Sequence, residues 1–215
     1  MRVECMSGSD GSLGVATQQV RSAARKPRAK TSQSKSLDAN AWAEAGLLEL
    51  AAHGIDRVRV EVLAKRLSVT KGSFYWHFKD RDALLAMMLD QWRRRATLAL
   101  IQRLDRGGAA PLDRLRELLR LPMQAERSAR AAEVELAIRL WGRIDPNARD
   151  ALEEVDELRL QYLTQLLVES GARPELARAR AILAYSYQRV APTLIPADAA
   201  GLMQHCEDLL IGLAP

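Results

Sequence analysis

The sequence is poor in the residues that build metal centres, disulfide frameworks and membrane spans. It contains two cysteines and three histidines, and Cys5 and Cys206 lie near opposite ends without the paired spacing of a metal site. Reduced thiols, no metal and no cofactor are therefore expected. No apolar run approaches the roughly 18 residues of a membrane span, and residues 1–20 lack the apolar core of a secretory signal peptide. These absences predict a cytoplasmic protein that makes no contact with a membrane.

The sequence also lacks the side-chain patterns of catalysis. It shows no nucleophile–base pair, no pair of carboxylates at a useful spacing and no glycine-rich phosphate loop. An enzyme is therefore the class of protein with the least support, and we expect a chain that binds other molecules without transforming them.

Excess positive charge is confined to the N-terminal segment. Residues 1–37 hold seven basic side chains and two acidic ones, whereas the rest of the chain is neutral although the total is +5. Because Ser, Gly, Thr and Lys dominate this segment without periodicity, it is predicted to be a disordered basic arm. Two interpretations of the arm stay open, a contact with nucleic-acid phosphates and a solvated tail. Met6 is a second candidate for the first residue.

From Asp38 onward the sequence has the pattern of an all-α protein. Ala, Leu, Arg and Glu prevail, β-branched runs are absent, and Pro or Gly recurs at intervals. About nine helices are predicted, near residues 39–53, 60–67, 70–77, 81–104, 111–122, 127–141, 146–170, 174–190 and 198–213. The first three helices are short and form an N-terminal unit, and the later helices are longer.

Aromatic residues are scarce, at 5% of the sequence, yet several stand together in SVTKGSFYWHFKDRDALL, residues 68–85. Phe74 and Phe78 are four residues apart and share one helical face, which predicts that both pack inward. The two short helices around the turn at Ser68-Val69 form a helix-turn-helix unit, residues 59–78, whose second helix suits a major groove. The candidate DNA-binding residues on it are Thr70, Lys71, Gly72, Ser73, Tyr75, Trp76 and His77. Packing on the fourth helix is the alternative for Trp76.

The stretch VLAKRLSVTKGSFYWHFKDRDALL resembles the DNA-binding domain of the tetracycline-repressor (TetR/AcrR) family of bacterial transcriptional regulators. The resemblance covers about residues 36–96 and implies a homodimer that reads a palindromic operator in double-stranded DNA. By position, Arg81 falls on a phosphate-binding residue of the family. The positions that face DNA in the family are occupied here by Lys71, Gly72, Ser73, Tyr75 and His77.

Three positions depart from the family pattern. Arg59 stands where a capping Thr is usual and is itself a candidate for DNA contact. Glu61 stands where a basic or small residue is common. Ser68 replaces a turn glycine, which costs up to about 1 kcal/mol if the position needs a positive φ.

Beyond the arm, the resemblance implies an N-terminal three-helix DNA-binding domain (38–96) and a C-terminal helical domain (97–215) that dimerises and binds a ligand. The predicted dimer stripe of the eighth helix is Ala177, Ala181 and Ala184 beside Tyr185. That of the ninth helix is Leu202, Cys206, Leu209 and Leu213. Packing within one subunit is the alternative for both. By chemistry alone, the candidates for the effector pocket are Met123, Trp141, Tyr162, Tyr185 and Tyr187.

These observations together favour a homodimeric repressor that a small-molecule effector releases from its operator. The alternative is a TetR-like DNA-binding regulator without a small-molecule ligand, which acts as an activator or is controlled by a protein partner. The sequence does not identify the effector or the operator.

Overall fold

The computed structural model describes residues 38–123, 125–195 and 199–212, and the secondary structure of these residues is helical. The predicted arm at 1–37, with Cys5 and Met6, lies outside the described residues, as does Leu213. The described helices are α1 (Ala39–His53), α2 (Val60–Arg66), α3 (Lys71–Tyr75), α4 (Arg81–Arg93), α5 (Ala99–Arg106), α6 (Pro111–Arg120), α7 (Ala125–Trp141), α8 (Pro146–Glu169), α9 (Pro174–Leu194) and α10 (Ala200–Ile211). Within this part of the chain, no helix is long and apolar enough to cross a membrane.

Side-chain caps fix the predicted helix starts. Asp80 accepts a hydrogen bond of 2.8 Å from the Ala83 N–H at the start of α4. Asp145 does the same at 3.0 Å for the Ala148 N–H of α8, because an N-cap carboxylate satisfies an amide that the first turn leaves unpaired. The predicted all-α fold is confirmed for the described residues. The structure has ten α-helices in the described residues, and the predicted number of nine is obtained when α4, α5 and the segment between them are counted as one helix.

That segment, Arg94–Leu98, is π-helical. The sequence predicted a uniform helix over 81–104, because RRATL contains no residue that interrupts a helix. A π turn uses i→i+5 hydrogen bonds and often marks a functional position in a longer helix. We call Arg94–Leu98 the π segment.

Helix α9 is longer than predicted. The eighth helix was expected to end near residue 190, but α9 continues through Pro192 to Leu194. Proline removes one backbone donor from the helix. The final turn is nevertheless closed by the Ile195 N–H, which donates to the Ala191 carbonyl at 2.9 Å. The predicted end near residue 190 is therefore wrong by about one turn, whereas the last two helices are separate, as predicted.

Two hydrophobic clusters hold the described helices together. The first contains Trp42, Phe74 and Met88 and extends to Trp141 of α7 and Leu152 of α8. Helices α1–α4 are therefore packed on the first half of α8 and the end of α7. The second cluster joins α5, α6, α8, α9 and α10; its central residues are Leu115, Leu119, Leu163, Leu166, Ala177, Ala181, Ala184 and Ile211.

The second cluster corrects the predicted dimer stripe of the eighth helix. Ala177, Ala181 and Ala184 are buried within their own chain. Tyr185 is buried beside them. Small residues allow helices to approach closely within one subunit as well as between two subunits. The spacing of the alanines alone therefore did not distinguish a core position from a dimer interface. On α10, Leu202 and Leu209 are exposed and Cys206 is half-buried.

The turn between α2 and α3 contains a strained residue. Ser68 has φ of 57°, and among the described residues it is the non-glycine residue with a positive φ. A Cβ is unfavourable in this region, since it approaches the following carbonyl. Position 68 therefore has the left-handed conformation that favours glycine, the residue that the family pattern has at this turn.

We expect Ser68→Gly to raise the free energy of unfolding by about 0.5–1 kcal/mol, because the substitution removes the Cβ from a left-handed position. Urea unfolding followed by circular dichroism measures this change. Ser68→Ala is the matched control, because it keeps the Cβ and is expected to give no gain. A glycine variant no more stable than the parent would contradict the prediction.

Candidate nucleic-acid interface

The inward side of α3 and of the turn that follows it is built from two phenylalanines, as predicted. Phe74 is fully buried, and its ring lies 5.3 Å from the Trp42 ring in an edge-to-face contact. The Phe78 ring stacks on Phe74 at 5.1 Å. These contacts fix a helix of five residues that is too short to be stable alone.

The outward side of the same segment presents two large aromatic side chains. Tyr75 is 64% exposed and Trp76 is 87% exposed. The alternative for Trp76, packing on the fourth helix, is therefore not what the structure has. Exposed aromatic residues side by side are uncommon on a surface that meets only water, and they indicate a surface that contacts another molecule.

The residues at the start of α3 are mostly small or polar. Thr70 precedes the helix and makes no capping hydrogen bond with its side chain. At Gly72 an added Cβ would meet only the Thr70 hydroxyl, at 3.6 Å. The fold therefore does not require glycine there, and the absent side chain leaves room for another molecule to approach the backbone. Ser73 is half-buried and His77 is exposed.

Lys71 does not stand free on this surface. Its Nζ lies 2.7 Å from Glu61 Oε1 in an exposed ion pair between α3 and α2. The hydrogen bond from Lys71 lowers the pKa of the Glu61 carboxyl below its usual range. Lys71 must leave Glu61 to reach a base edge, so Glu61 influences what Lys71 can bind.

Arg81 has a structural role that the sequence did not indicate. Its Nε donates to the Val58 carbonyl at 2.7 Å and its Nη2 to the Ile55 carbonyl at 2.8 Å. These bonds attach the start of α4 to the connection between α1 and α2. Its phosphate contact stays a prediction. Arg59 is exposed at the start of α2, where its Nε donates to the Asp56 carbonyl at 2.8 Å.

The five effector-pocket candidates do not line one pocket. Trp141 is buried in the first cluster, and the side chain of Met123 lies outside the described residues. Tyr162 lines a cavity of about 70 Å³ beside the π segment. Tyr187 is half-buried, and its buried hydroxyl has no hydrogen-bond partner among the described residues.

The hydroxyl of Tyr185 belongs to a cluster of charged side chains around the buried Glu135, which the sequence did not reveal. It donates to Asp156 Oδ1 at 2.6 Å. Glu135 Oε1 lies 3.1, 2.9 and 2.6 Å from Arg139, Arg159 and Arg189. Burial by itself would raise the pKa of Glu135, but the charges of Arg159 and Arg189 and the hydrogen bond from Arg159 outweigh it and lower the pKa to about 2. We call Glu135, Arg139, Asp156, Arg159, Tyr185 and Arg189 the charged cluster.

No metal site emerges from the part of the chain that the structure describes, since no three His, Cys, Asp or Glu residues there converge as ligands. The charged cluster and its cavity lie inside the C-terminal helices.

Residues 44–88 match the family model for bacterial regulatory proteins of the tetR family. This confirms the resemblance that the sequence around α2 and α3 indicated. No curated protein sequence matches the chain significantly.

Solved structures share the fold of almost the whole chain. A transcriptional regulator from Rhodococcus sp. Rha1 has 24% identity and a TM-score of 0.63, over 82% of this chain and 95% of that one. A regulator from Saccharomonospora viridis in complex with choline has 17% identity and a TM-score of 0.62, over 80% and 92%. FadR from Bacillus subtilis in complex with stearoyl-CoA has 17% identity and a TM-score of 0.60, over 82% and 99%. At these identities the similarity establishes the fold.

Proposed function

We propose that this chain, which residues 44–88 place in the tetR family of bacterial regulatory proteins, is a homodimeric, sequence-specific repressor that a small-molecule effector releases from DNA. The observation that carries the proposal is the division of α3 into a buried face and an exposed aromatic face. Phe74 is fully buried whereas Trp76 is 87% exposed.

In this proposal α3 enters the major groove. The small residues of its first turn approach the base edges, and Lys71 reaches a guanine after leaving Glu61. Tyr75 and His77 lie at the other end of the helix, where a phenol and an imidazole can donate to phosphate oxygens. Arg59 and Trp76 flank this surface and contact the sugar-phosphate backbone. Such a regulator binds rather than catalyses, and it works where the bacterial chromosome is, in the cytoplasm.

The dimer is supported by exposed apolar residues on the last two helices. On α9 these are Ile182, Leu183, Val190 and Leu194, and on α10 they are Leu202 and Leu209. Exposed apolar residues in this number on two neighbouring helices are typical of a subunit interface. Two copies of α9 and α10 would bury it and place two α3 helices on the two halves of a palindrome.

Effector control is supported by the cavity beside the π segment and by the ligand complexes of two proteins of the same fold, with choline and with stearoyl-CoA. A ligand that binds the DNA-free conformation more tightly lowers DNA affinity, and DNA lowers ligand affinity by the same factor. The helix that contains the π segment begins at Arg81, so it joins the cavity to the DNA-binding helices.

The DNA-reading surface can be tested with the double variant Lys71→Ala, Tyr75→Ala. A duplex selected by the parent protein from a randomised library serves as the probe, in fluorescence anisotropy at fixed salt. We expect the variant to bind this duplex at least about a hundredfold more weakly, because a base contact and a backbone contact are lost.

Arg173→Ala is the matched control, since Arg173 is exposed beyond the far end of α8 from the DNA-binding helices. It should leave DNA affinity unchanged. A double variant that binds as tightly as the parent would show that α3 is not the reading helix. If DNA binding is sequence-specific but no small molecule changes it, the chain is a regulator of the second kind, without a small-molecule ligand.

A further inference from the structure

The cavity beside the π segment combines an apolar wall with polar groups at one end. Its apolar wall comes from Leu100, Ile101, Leu118, Leu163 and neighbouring residues. Its polar lining includes Thr97, Arg159, Gln188 and Arg189. A pocket with one polar end suits a ligand that has a polar head and a hydrocarbon part.

The polar end carries an excess of positive charge. The charged cluster contains three arginines and two carboxylates, Glu135 and Asp156. One positive charge is therefore not balanced within the cluster. The three guanidinium groups also carry about fifteen N–H donors, whereas two carboxylates offer about eight lone pairs.

A second polar group at this end lacks a partner. The Thr97 hydroxyl is buried and forms no hydrogen bond with the described residues. A buried hydroxyl without a partner is unfavourable unless something in the pocket satisfies it. Because Thr97 belongs to the π segment and lines the cavity, a ligand or a water in the cavity is the group that can do so.

We propose that this cavity is the effector site of the regulator and that its ligand is a short-chain organic carboxylate. The carboxylate pairs with Arg159 and Arg189 and accepts from the Thr97 hydroxyl, and the hydrocarbon chain lies against Leu100, Ile101 and Leu163. This inference rests on the proposed function for its regulatory meaning, whereas the binding site itself stands on the geometry and charge of the cavity.

The size of the cavity sets the length of the ligand. A volume of about 70 Å³ holds roughly five to seven water-sized groups, at about 10–15 Å³ for each. Butyrate, with six non-hydrogen atoms, matches this volume. Acetate leaves the apolar wall uncovered, and a carboxylate with a long hydrocarbon chain exceeds the cavity.

The position of the cavity explains how its ligand reaches the DNA-binding helices. Arg159 Nη2 donates to the Ala96 carbonyl in the π segment at 3.2 Å, and Arg95 of the same segment pairs with Glu44 of α1. A carboxylate that takes the donors of Arg159 weakens its bond to Ala96. The π segment then loses one of its supports, and the change passes to α1 and α4.

The test uses the full chain and isothermal titration calorimetry with sodium butyrate at constant ionic strength. Its neutral isostere butyramide, inorganic phosphate and choline are titrated in the same way. We expect butyrate to bind at least about tenfold more tightly than each of the three. Acetate and decanoate should bind more weakly than butyrate. Butyramide binding as tightly as butyrate, or phosphate binding as tightly, would overturn the assignment of a carboxylate with a hydrocarbon chain.

Three variants locate the site. Arg189→Gln should weaken butyrate binding about tenfold or more, and Thr97→Val, which keeps the side-chain shape, should weaken it about threefold to tenfold. Arg178→Gln, which removes an exposed arginine of the same helix, should leave it unchanged. Thermal unfolding of each variant shows whether it is folded. Unchanged butyrate binding in both folded cavity variants would overturn the site.

DNA affinity measured with and without butyrate separates this inference from the proposed function. Butyrate binding that lowers DNA affinity at least about fivefold supports both. Butyrate binding without any effect on DNA leaves the carboxylate site standing and overturns its regulatory role. Release of DNA by a different ligand, with no binding of any carboxylate, overturns the carboxylate site and leaves the regulator.

Discussion

Replacing Phe74 by alanine is expected to lower the free energy of unfolding by about 3–5 kcal/mol and to abolish specific DNA binding. The side chain is fully buried and contacts the rings of Trp42 and Phe78, so its removal leaves a cavity that a five-residue helix cannot close. The loss affects α3 directly, because this helix is held by Phe74 and Phe78. Urea unfolding measures the stability, and fluorescence anisotropy with the selected duplex measures the binding.

The neighbouring residue provides the matched control. Tyr75→Ala removes an aromatic ring of similar size from the exposed side of α3, and its contact with Phe74 is a single edge-to-face pair with centroids 5.2 Å apart. We expect its stability to change by no more than about 1 kcal/mol, while its DNA affinity falls. If Phe74→Ala binds the duplex like the parent, or if Tyr75→Ala unfolds as readily as Phe74→Ala, the division of α3 into two faces is wrong.

Local chemistry made much of the N-terminal half predictable from the sequence. The four-residue spacing of Phe74 and Phe78, the capping Asp80 and the turn at Ser68 each constrain the chain within a few residues of themselves. Such signals do not depend on what the rest of the molecule does. The predicted positions of α2 and the start of α4 therefore agree with the structure, whereas the third helix, predicted over 70–77, is helical over Lys71–Tyr75 and continues as a turn.

Contacts between distant elements were not predictable in the same way. The sequence marks Arg81 as a basic residue at a helix start, but its hydrogen bonds go to carbonyls of Ile55 and Val58. The alanines of α9 have a spacing that serves an interface within a chain or between chains equally well. Pro192 removes one hydrogen bond near the end of α9, which a packed helix tolerates at that place.

One residue of the charged cluster could be recognised as unusual from the sequence alone. The buried positions Val155 and Tyr162 of α8 are seven residues apart, and the position between them at helical spacing is Arg159. An arginine at a core position of an amphipathic helix requires a buried anion. The residue that supplies it, Glu135, lies on α7. Which carboxylate would do so depends on how α7 and α8 pack, and the sequence of α8 does not contain that information.

Replacing Glu135 by glutamine is expected to lower the free energy of unfolding at neutral pH by about 3 kcal/mol, since it leaves the largely buried Arg159 without its anion. The effect should reach the π segment, because Arg159 also bonds to Ala96. Thermal and urea unfolding at pH 7 measure the loss. Glu157→Gln on α8 is the control. It breaks an exposed ion pair with Arg178, and exposed pairs contribute little.

The pH dependence gives this prediction a second, independent measurement. The pKa of Glu135 is lowered from 4.5 to about 2 by the surrounding arginines, against the effect of burial. Because the folded-state pKa is the lower one, the stabilisation is fully present above the unfolded value and is lost as the pH falls from about 4.5 toward 2. A shift of this size corresponds to on the order of 3 kcal/mol. The parent should therefore lose more stability than Glu135→Gln between pH 5 and about pH 2.5. Parallel pH curves for the two proteins would show that Glu135 is not the anion on which the cluster depends.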